Sequence, residues 1–134
     1  MNVAVMQGIL NLLMADTTLT GLLGAASIFP GWIQQGYTLP CITVTENNET
    51  SRKRVGYTHY GHRDQEAVVQ IDAWTKESYR ACETLMNRVE TTLIPDSVAD
   101  TRGWEKIGES ISHESDIGTY HGMARFRFKY NLED

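Results

Sequence analysis

The stretch Glu66-Ala67-Val68-Val69-Gln70-Ile71-Asp72-Ala73-Trp74, running on through Thr75-Lys76-Glu77-Ser78 toward Leu93, decides the fold. Its first part repeats every two residues. Ala67, Val69, Ile71 and Ala73 fall on one side and Val68, Gln70, Asp72 and Trp74 on the other, as in a strand. After Thr75 the spacing changes to three and four. Tyr79, Cys82, Leu85, Met86, Val89 and Leu93 then make one apolar stripe, with Lys76, Glu77, Arg80, Glu83, Asn87, Arg88 and Glu90 around it. Thr75 or Ser78 serves as the N-cap, and Pro95 stops the helix. A strand leading straight into an amphipathic helix implies a sheet with that helix laid on its apolar side.

The flanking segments extend this unit in both directions. Cys41-Ile42-Thr43-Val44-Thr45 is β-branched and alternating, and is expected to pair antiparallel with the strand at 66–74. Between them, from Glu46 to Gln65, the apolar signal disappears, so a long polar loop is expected at 46–65, a length that is usually functional. Upstream, Val5, Met6, Ile9, Leu10, Leu13 and Met14 mark a helix over Val3–Ala15. Asp16 or Thr17 caps a further helical turn that Gly24 ends, and Ser27-Ile28-Phe29 is a short extended piece before a loop at 31–40. Downstream, Arg102 to Glu114 and Tyr120 to Leu132 read as two strands joined at Ser115-Asp116-Ile117-Gly118. In the last strand Phe126, Phe128 and Tyr130 alternate with Arg125, Arg127 and Lys129. The predicted fold is a single α+β domain over 1–134, a mainly antiparallel sheet of four to five strands with two helices packed on one face.

Composition narrows the function. The 134 residues carry 12 Lys+Arg and 17 Asp+Glu, a net charge of −5, and 41% are hydrophobic. Val, Ile, Leu and aromatic residues recur along the whole chain, which excludes a disordered polypeptide. The acidic balance argues against a general binder of nucleic acid or of anionic membranes. Cys41 and Cys82 stand in apolar settings and read as buried thiols rather than a disulfide framework. The opening Met1-Asn2-Val3-Ala4-Val5-Met6 lacks a basic start, and Asp16 interrupts the apolar run after it, so synthesis in the cytoplasm and no membrane contact are expected.

No catalytic constellation emerges. His59-x-x-His62 lies among Gly56, Tyr57, Tyr60 and Gly61 and has no third ligand at zinc spacing. Asp64 and Glu66 neutralise Arg63 and its neighbours, and Ser112, His113 and Asp116 are close in sequence without triad geometry. No catalytic, cofactor or metal residues are predicted. The basic residues are more informative. Arg52, Lys53 and Arg54, with Tyr57, His59, Tyr60, His62 and Arg63, occupy a stretch free of Asp and Glu. Two readings fit it: a solvated loop, or an arm that orders on an acidic partner, protein or DNA phosphate. Arg125, Arg127 and Lys129 form a second basic row, either a plain exposed sheet face or an intersubunit face meeting a neighbour's acidic surface. Basic patches set apart within an acidic chain favour self-assembly.

Taken together the chain resembles the tail-completion, or tail-terminator, proteins of long-tailed bacteriophages. The resemblance spans nearly all of it: Leu13-Met14-Ala15-Asp16-Thr17-Thr18-Leu19, Leu22-Leu23-Gly24, Ile28-Phe29-Pro30, Cys41-Ile42-Thr43-Val44 after Leu39-Pro40, and the Phe126-Arg127-Phe128 alternation. Its most specific part is Val69-Gln70-Ile71-Asp72-Ala73-Trp74 continuing through Ala81, Leu85, Met86, Val89 and Leu93. Gly61-His62-Arg63-Asp64 stands where the family has a short polar stretch ending in His. The resemblance implies a structural virion protein of the tail or neck that forms a hexameric ring, caps the tail tube, ends its polymerisation and joins tail to head. Implied partners are other copies of the chain, the tail tube protein and a head–tail connector or stopper protein, with DNA crossing the lumen without sequence-specific contact. Arg52, Lys53, Arg54, Tyr57, His59, Tyr60 and His62, with Arg125, Arg127 and Lys129, are the candidate partner contacts. Two alternatives stay open: a stopper or adaptor of the connector, and a small ligand-binding or enzymatic domain using the sheet face around Trp74, Tyr120 and His121. For the second, a pocket holding His113 or His121 beside a carboxylate is the expected sign.

Overall fold

In a computed structural model the period-two run becomes the middle of the central strand. The elements are α1 (Val3–Ala15), α2 (Thr17–Leu23), β1 (Ile28–Pro30), β2 (Cys41–Glu46), β3 (Arg52–Tyr57), β4 (Arg63–Thr75), α3 (Tyr79–Leu93), β5 (Thr101–Glu114) and β6 (Thr119–Leu132). The structure describes residues 3–34, 36–46, 52–57, 63–94, 98 and 101–132, with the backbone alone at 52–57, 63–65 and 131–132. The sheet order is β1-β2-β4-β6-β5, and β3 pairs β4 off this path. The mainly antiparallel α+β sheet predicted from the sequence is present. Among the described residues one strand pair is parallel, β1 with β2, Ile28 opposite Ile42.

Register explains which side chains share a face. Ala67, Val69, Ile71 and Ala73 of β4 stand opposite Phe128, Phe126, Ala124 and Gly122 of β6. These apolar β4 and β6 residues form one core with Ile42 and Val44 of β2, Val5, Ile9, Leu10 and Leu13 of α1, and the stripe of α3 from Cys82 to Leu93. Gly122 lets α3 come close. A Cβ there would lie 2.8 Å from Met86 Cγ and 2.9 Å from Cys82 Sγ. Burial pushes both thiols, Cys41 and Cys82, up to about 11, so they stay protonated as small apolar side chains. Trp104 of β5 closes the far side of the core, stacked on Phe128 with centroids 4.3 Å apart.

The helix ends follow from their caps. Ser78 Oγ accepts from the Ala81 N–H at 3.0 Å and starts α3, while Asp16 accepts from the Leu19 N–H at 3.0 Å and starts α2. Gly24 ends α2 in the left-handed region at φ 77°, which glycine enters without steric cost. Asp16 also receives Arg88, with Nη2 at 2.9 Å from its Oδ2, and the Thr92 hydroxyl, both from α3. One carboxylate thus ties the corner between α1 and α2 to α3. Burial acts to raise its pKa, but the hydrogen bonds from Thr92, Arg88 and Leu19 outweigh it and hold the carboxyl down at about 2.

The stretch expected to be a polar loop is in part a strand. β3 pairs β4 with Arg52 opposite Glu66 and Tyr57 opposite Arg63, its register shifting between Arg52 and Gly56. It carries the edge of β4 onward where β2 leaves off at Glu46 opposite Val69. The sequence hid it because Arg52-Lys53-Arg54 has no apolar alternation; its pairing is supplied by β4. Among the described residues no single helix is long and apolar enough to cross a membrane, and α1 and α2, apolar together, are bent by 75°.

Candidate assembly interface

The β4 residues that point away from the core build a polar network. Asp72 is fully buried and receives His121 Nε2 at 2.7 Å and Gln70 Nε2 at 3.2 Å. Gln70 in turn accepts from Arg125 Nε at 3.2 Å. The His121 ring stacks on Trp74, centroids 3.7 Å apart and planes within 7°, and Trp74 Nε1 donates to Thr43 Oγ1 at 3.3 Å. From the loop at 31–40, Trp32 stands edge-on to both rings, 5.4 Å from Trp74 and 5.8 Å from His121. It remains 54% exposed.

The sequence reading of this face was incomplete. A histidine does sit beside a carboxylate, as the enzymatic alternative requires, but one ring face is covered by Trp74 and Nε2 is engaged by Asp72. His113 packs against Tyr120 instead, centroids 4.6 Å apart. The alternation at 66–74 placed Asp72 away from the helices. Its partner His121 lies 49 residues on and becomes evident only from the register, in which Trp74 opposes His121.

The two groups of predicted contacts fall differently. Arg125 is half-buried and held by Gln70, and Arg127 is bound by Glu105 through Nε at 2.7 Å and through its Nη2. Lys129 is exposed. Two of the three basic side chains are therefore engaged within the chain, which the strand pattern could not show because Glu105 belongs to β5. Arg52, Lys53, Arg54 and Tyr57 lie on β3, and its Arg52 shares a cross-strand row with Glu66, Lys129 and Arg102. His59, Tyr60 and His62 lie outside the described residues.

The ends of the sheet are unlike. At one end Tyr57, Arg63 and Leu132 stand in register, with the basic segment of β3 beside them. At the other, Thr75 opposes Tyr120 and Glu114 opposes Thr119. Around this second end are exposed apolar side chains: Trp32 over Trp74, Ile117 in the β5–β6 turn at 59% exposure, and Tyr79 in the first turn of α3 at 54%. Leu22 adds to them, bordering a groove of about 230 Å³ with Pro40, Thr75 and Ala81. Between Ile107 and Thr119 the chain carries Glu109, Glu114 and Asp116 and no Lys or Arg. Glu109 is engaged by Lys106, whose ammonium is held above its ordinary pKa by Glu109 and Glu90.

The inward faces of β4 and β6 thus share one core with α1 and α3, the outward residues of β4 carry a polar network, and the two ends of the sheet differ chemically. Its fold is similar to that of a chain in the virion of a native gene transfer agent particle, at TM-score 0.71 and 12% identity over 92% of each chain. It is also similar to bacteriophage SPP1 gp17 protein, at TM-score 0.58 and 12% identity, covering 98% of this chain and 91% of that one. No curated protein matches the sequence significantly. The tail completion protein gp17 family matches over residues 7–131, and the chain belongs to that family. It is a structural protein of the bacteriophage tail or neck, located in the virion.

Proposed function

We propose that the protein forms a hexameric ring at the head-proximal end of the tail tube, ends tube polymerisation there and presents the surface that joins tail to head. The observation that carries this reading is the dissimilarity of the two ends of the sheet in a member of the tail completion family. Unlike surfaces on one subunit meet head-to-tail, and such a contact repeated by rotation closes a ring. The ring's partners are then copies of itself, the tail tube protein on one side and a connector or stopper protein on the other. DNA crosses the lumen without sequence-specific contact, and a chain of net charge −5 holds its phosphates only weakly. The protein is made in the host cytoplasm and ends in the neck of the virion.

Negative-stain images of the purified protein, combined with measured tail lengths in particles assembled without it, test this function. Rings with an open centre, overlong tubes and unjoined heads and tails are expected. A monomer at high concentration with normal tails in its absence overturns the reading. Crosslinks to the connector alone, with none to the tube, overturn it in favour of a stopper or adaptor.

A further inference from the structure

We infer that successive copies in the ring meet end to end along the strand direction, the basic β3 segment of one copy against the acidic β5–β6 end of the next. The inference rests on the ring reading and names its interface. The segment Arg52-Lys53-Arg54 would lie beside Glu114 and Asp116, with Ile117 and Trp32 supplying the apolar surface.

Charge is the first ground. From Thr50 to Arg63 the chain has four Lys and Arg residues, at 52, 53, 54 and 63, and no Asp or Glu. The segment from Ile107 to Thr119 is of the opposite sign throughout. Glu109 is already neutralised by Lys106, whereas Glu114 lies 3.6 Å from His121 Nδ1 and keeps a side chain 49% exposed. Asp116 is exposed in the turn. The two segments occupy opposite ends of one sheet, so within a single copy they cannot neutralise each other. Between copies they can.

Exposed apolar surface is the second ground. Trp32 and Ile117 are both more than half exposed; an exposed Trp is the kind of anchor interfaces bury at their centre, and charged residues such as Glu114 and Asp116 suit the polar rim around it. Trp32 is also braced edge-on by Trp74 and His121, so little side-chain freedom is lost on docking. Size agrees. β4 has 13 residues, which at about 3.3 Å per residue spans about 43 Å. Six such lengths give a mean circumference of about 260 Å and a mean diameter of about 80 Å, leaving an open centre inside a layer one domain thick.

Charge reversal tests the contact, read by size-exclusion chromatography with light scattering. Arg52→Glu/Lys53→Glu/Arg54→Glu and Glu114→Lys/Asp116→Lys are each expected to weaken ring assembly at least tenfold while leaving the circular dichroism spectrum unchanged. A chain carrying both sets is expected to form rings again, because the reversed ends complement each other. Trp32→Ala, which alters no charge, is expected to weaken assembly as well. Wild-type rings that are untouched by either reversal overturn this interface and leave the ring standing. Reversals that both break rings without mutual rescue also overturn the pairing. Absence of rings in the wild type overturns the ring reading itself.

Discussion

Asp16 shows how one side chain serves three elements, capping α2 and receiving Arg88 and Thr92 from α3. Its carboxyl is held at about 2, below the ordinary 3.8, so the charged form is the one the fold favours. That stability is fully present above about pH 4 and is lost as pH falls toward 2. Asp16→Asn keeps a competent cap but removes the charge. Arg88 is partly solvated, with a side chain 34% exposed, so the variant is expected to lose about 1–2 kcal/mol at pH 7. The difference from wild type should shrink as pH falls through about 4 and be mostly gone by about pH 2, as urea titrations at several pH values would show. Two glycines give opposite expectations. At Gly122 a Cβ would press on Met86 and Cys82, and Gly122→Ala should cost about 1–3 kcal/mol by overpacking. At Gly21, inside α2, nothing lies within 4 Å, and Gly21→Ala should add about 0.5–1 kcal/mol. Thermal melts of the two variants check both signs.

At the scale of elements, α3 depends on its first turn. Ser78→Ala removes the acceptor for the Ala81 N–H and is expected to cost about 1 kcal/mol; Ser78→Asp, which caps equally well, should restore the wild-type denaturation midpoint. The boundaries of α1, β5 and β6 were readable within a residue or so; in α1 and β6 the stripe and the alternation come from burial against one core. The short extended piece at Ser27-Ile28-Phe29 was legible too, and it becomes β1, paired parallel with β2. Where a strand has no apolar alternation of its own, the reading failed: Arg52-Lys53-Arg54 writes no period into the sequence, and β3 draws its pairing from β4. The same limit governed the outer face. The polar side of β4 was legible as a side, yet the links from Asp72 to His121 and from Arg127 to Glu105 join residues 49 and 22 apart. Only register brings them together.

For the whole molecule, the basic stretch at 52–63 was legible from the sequence, while the acidic β5–β6 turn and its place at the opposite end of the sheet became evident only from the topology. That placement has a thermodynamic consequence. Only folded copies can occupy a ring, so assembly stabilises the fold by mass action. The unfolding entropy of a chain of 134 residues is about 280 cal/mol/K near 60 °C, from about 2.1 cal/mol/K per residue. In a hexamer that unfolds to monomers, a tenfold dilution removes five sixths of RT ln 10 per chain, about 1.2 kcal/mol. The midpoint should therefore fall by about 4 °C for each tenfold dilution. Arg52→Glu/Lys53→Glu/Arg54→Glu should melt below the wild type at every concentration, and its midpoint should move less with dilution. Raising salt should bring the wild type toward that variant, because the contact is partly ionic and the screening length falls from about 10 Å at 0.1 M to about 3 Å at 1 M. Calorimetry over two decades of concentration, at low and high salt, reads all three. A wild-type midpoint that does not move with concentration would mean that the fold gains nothing from its neighbours.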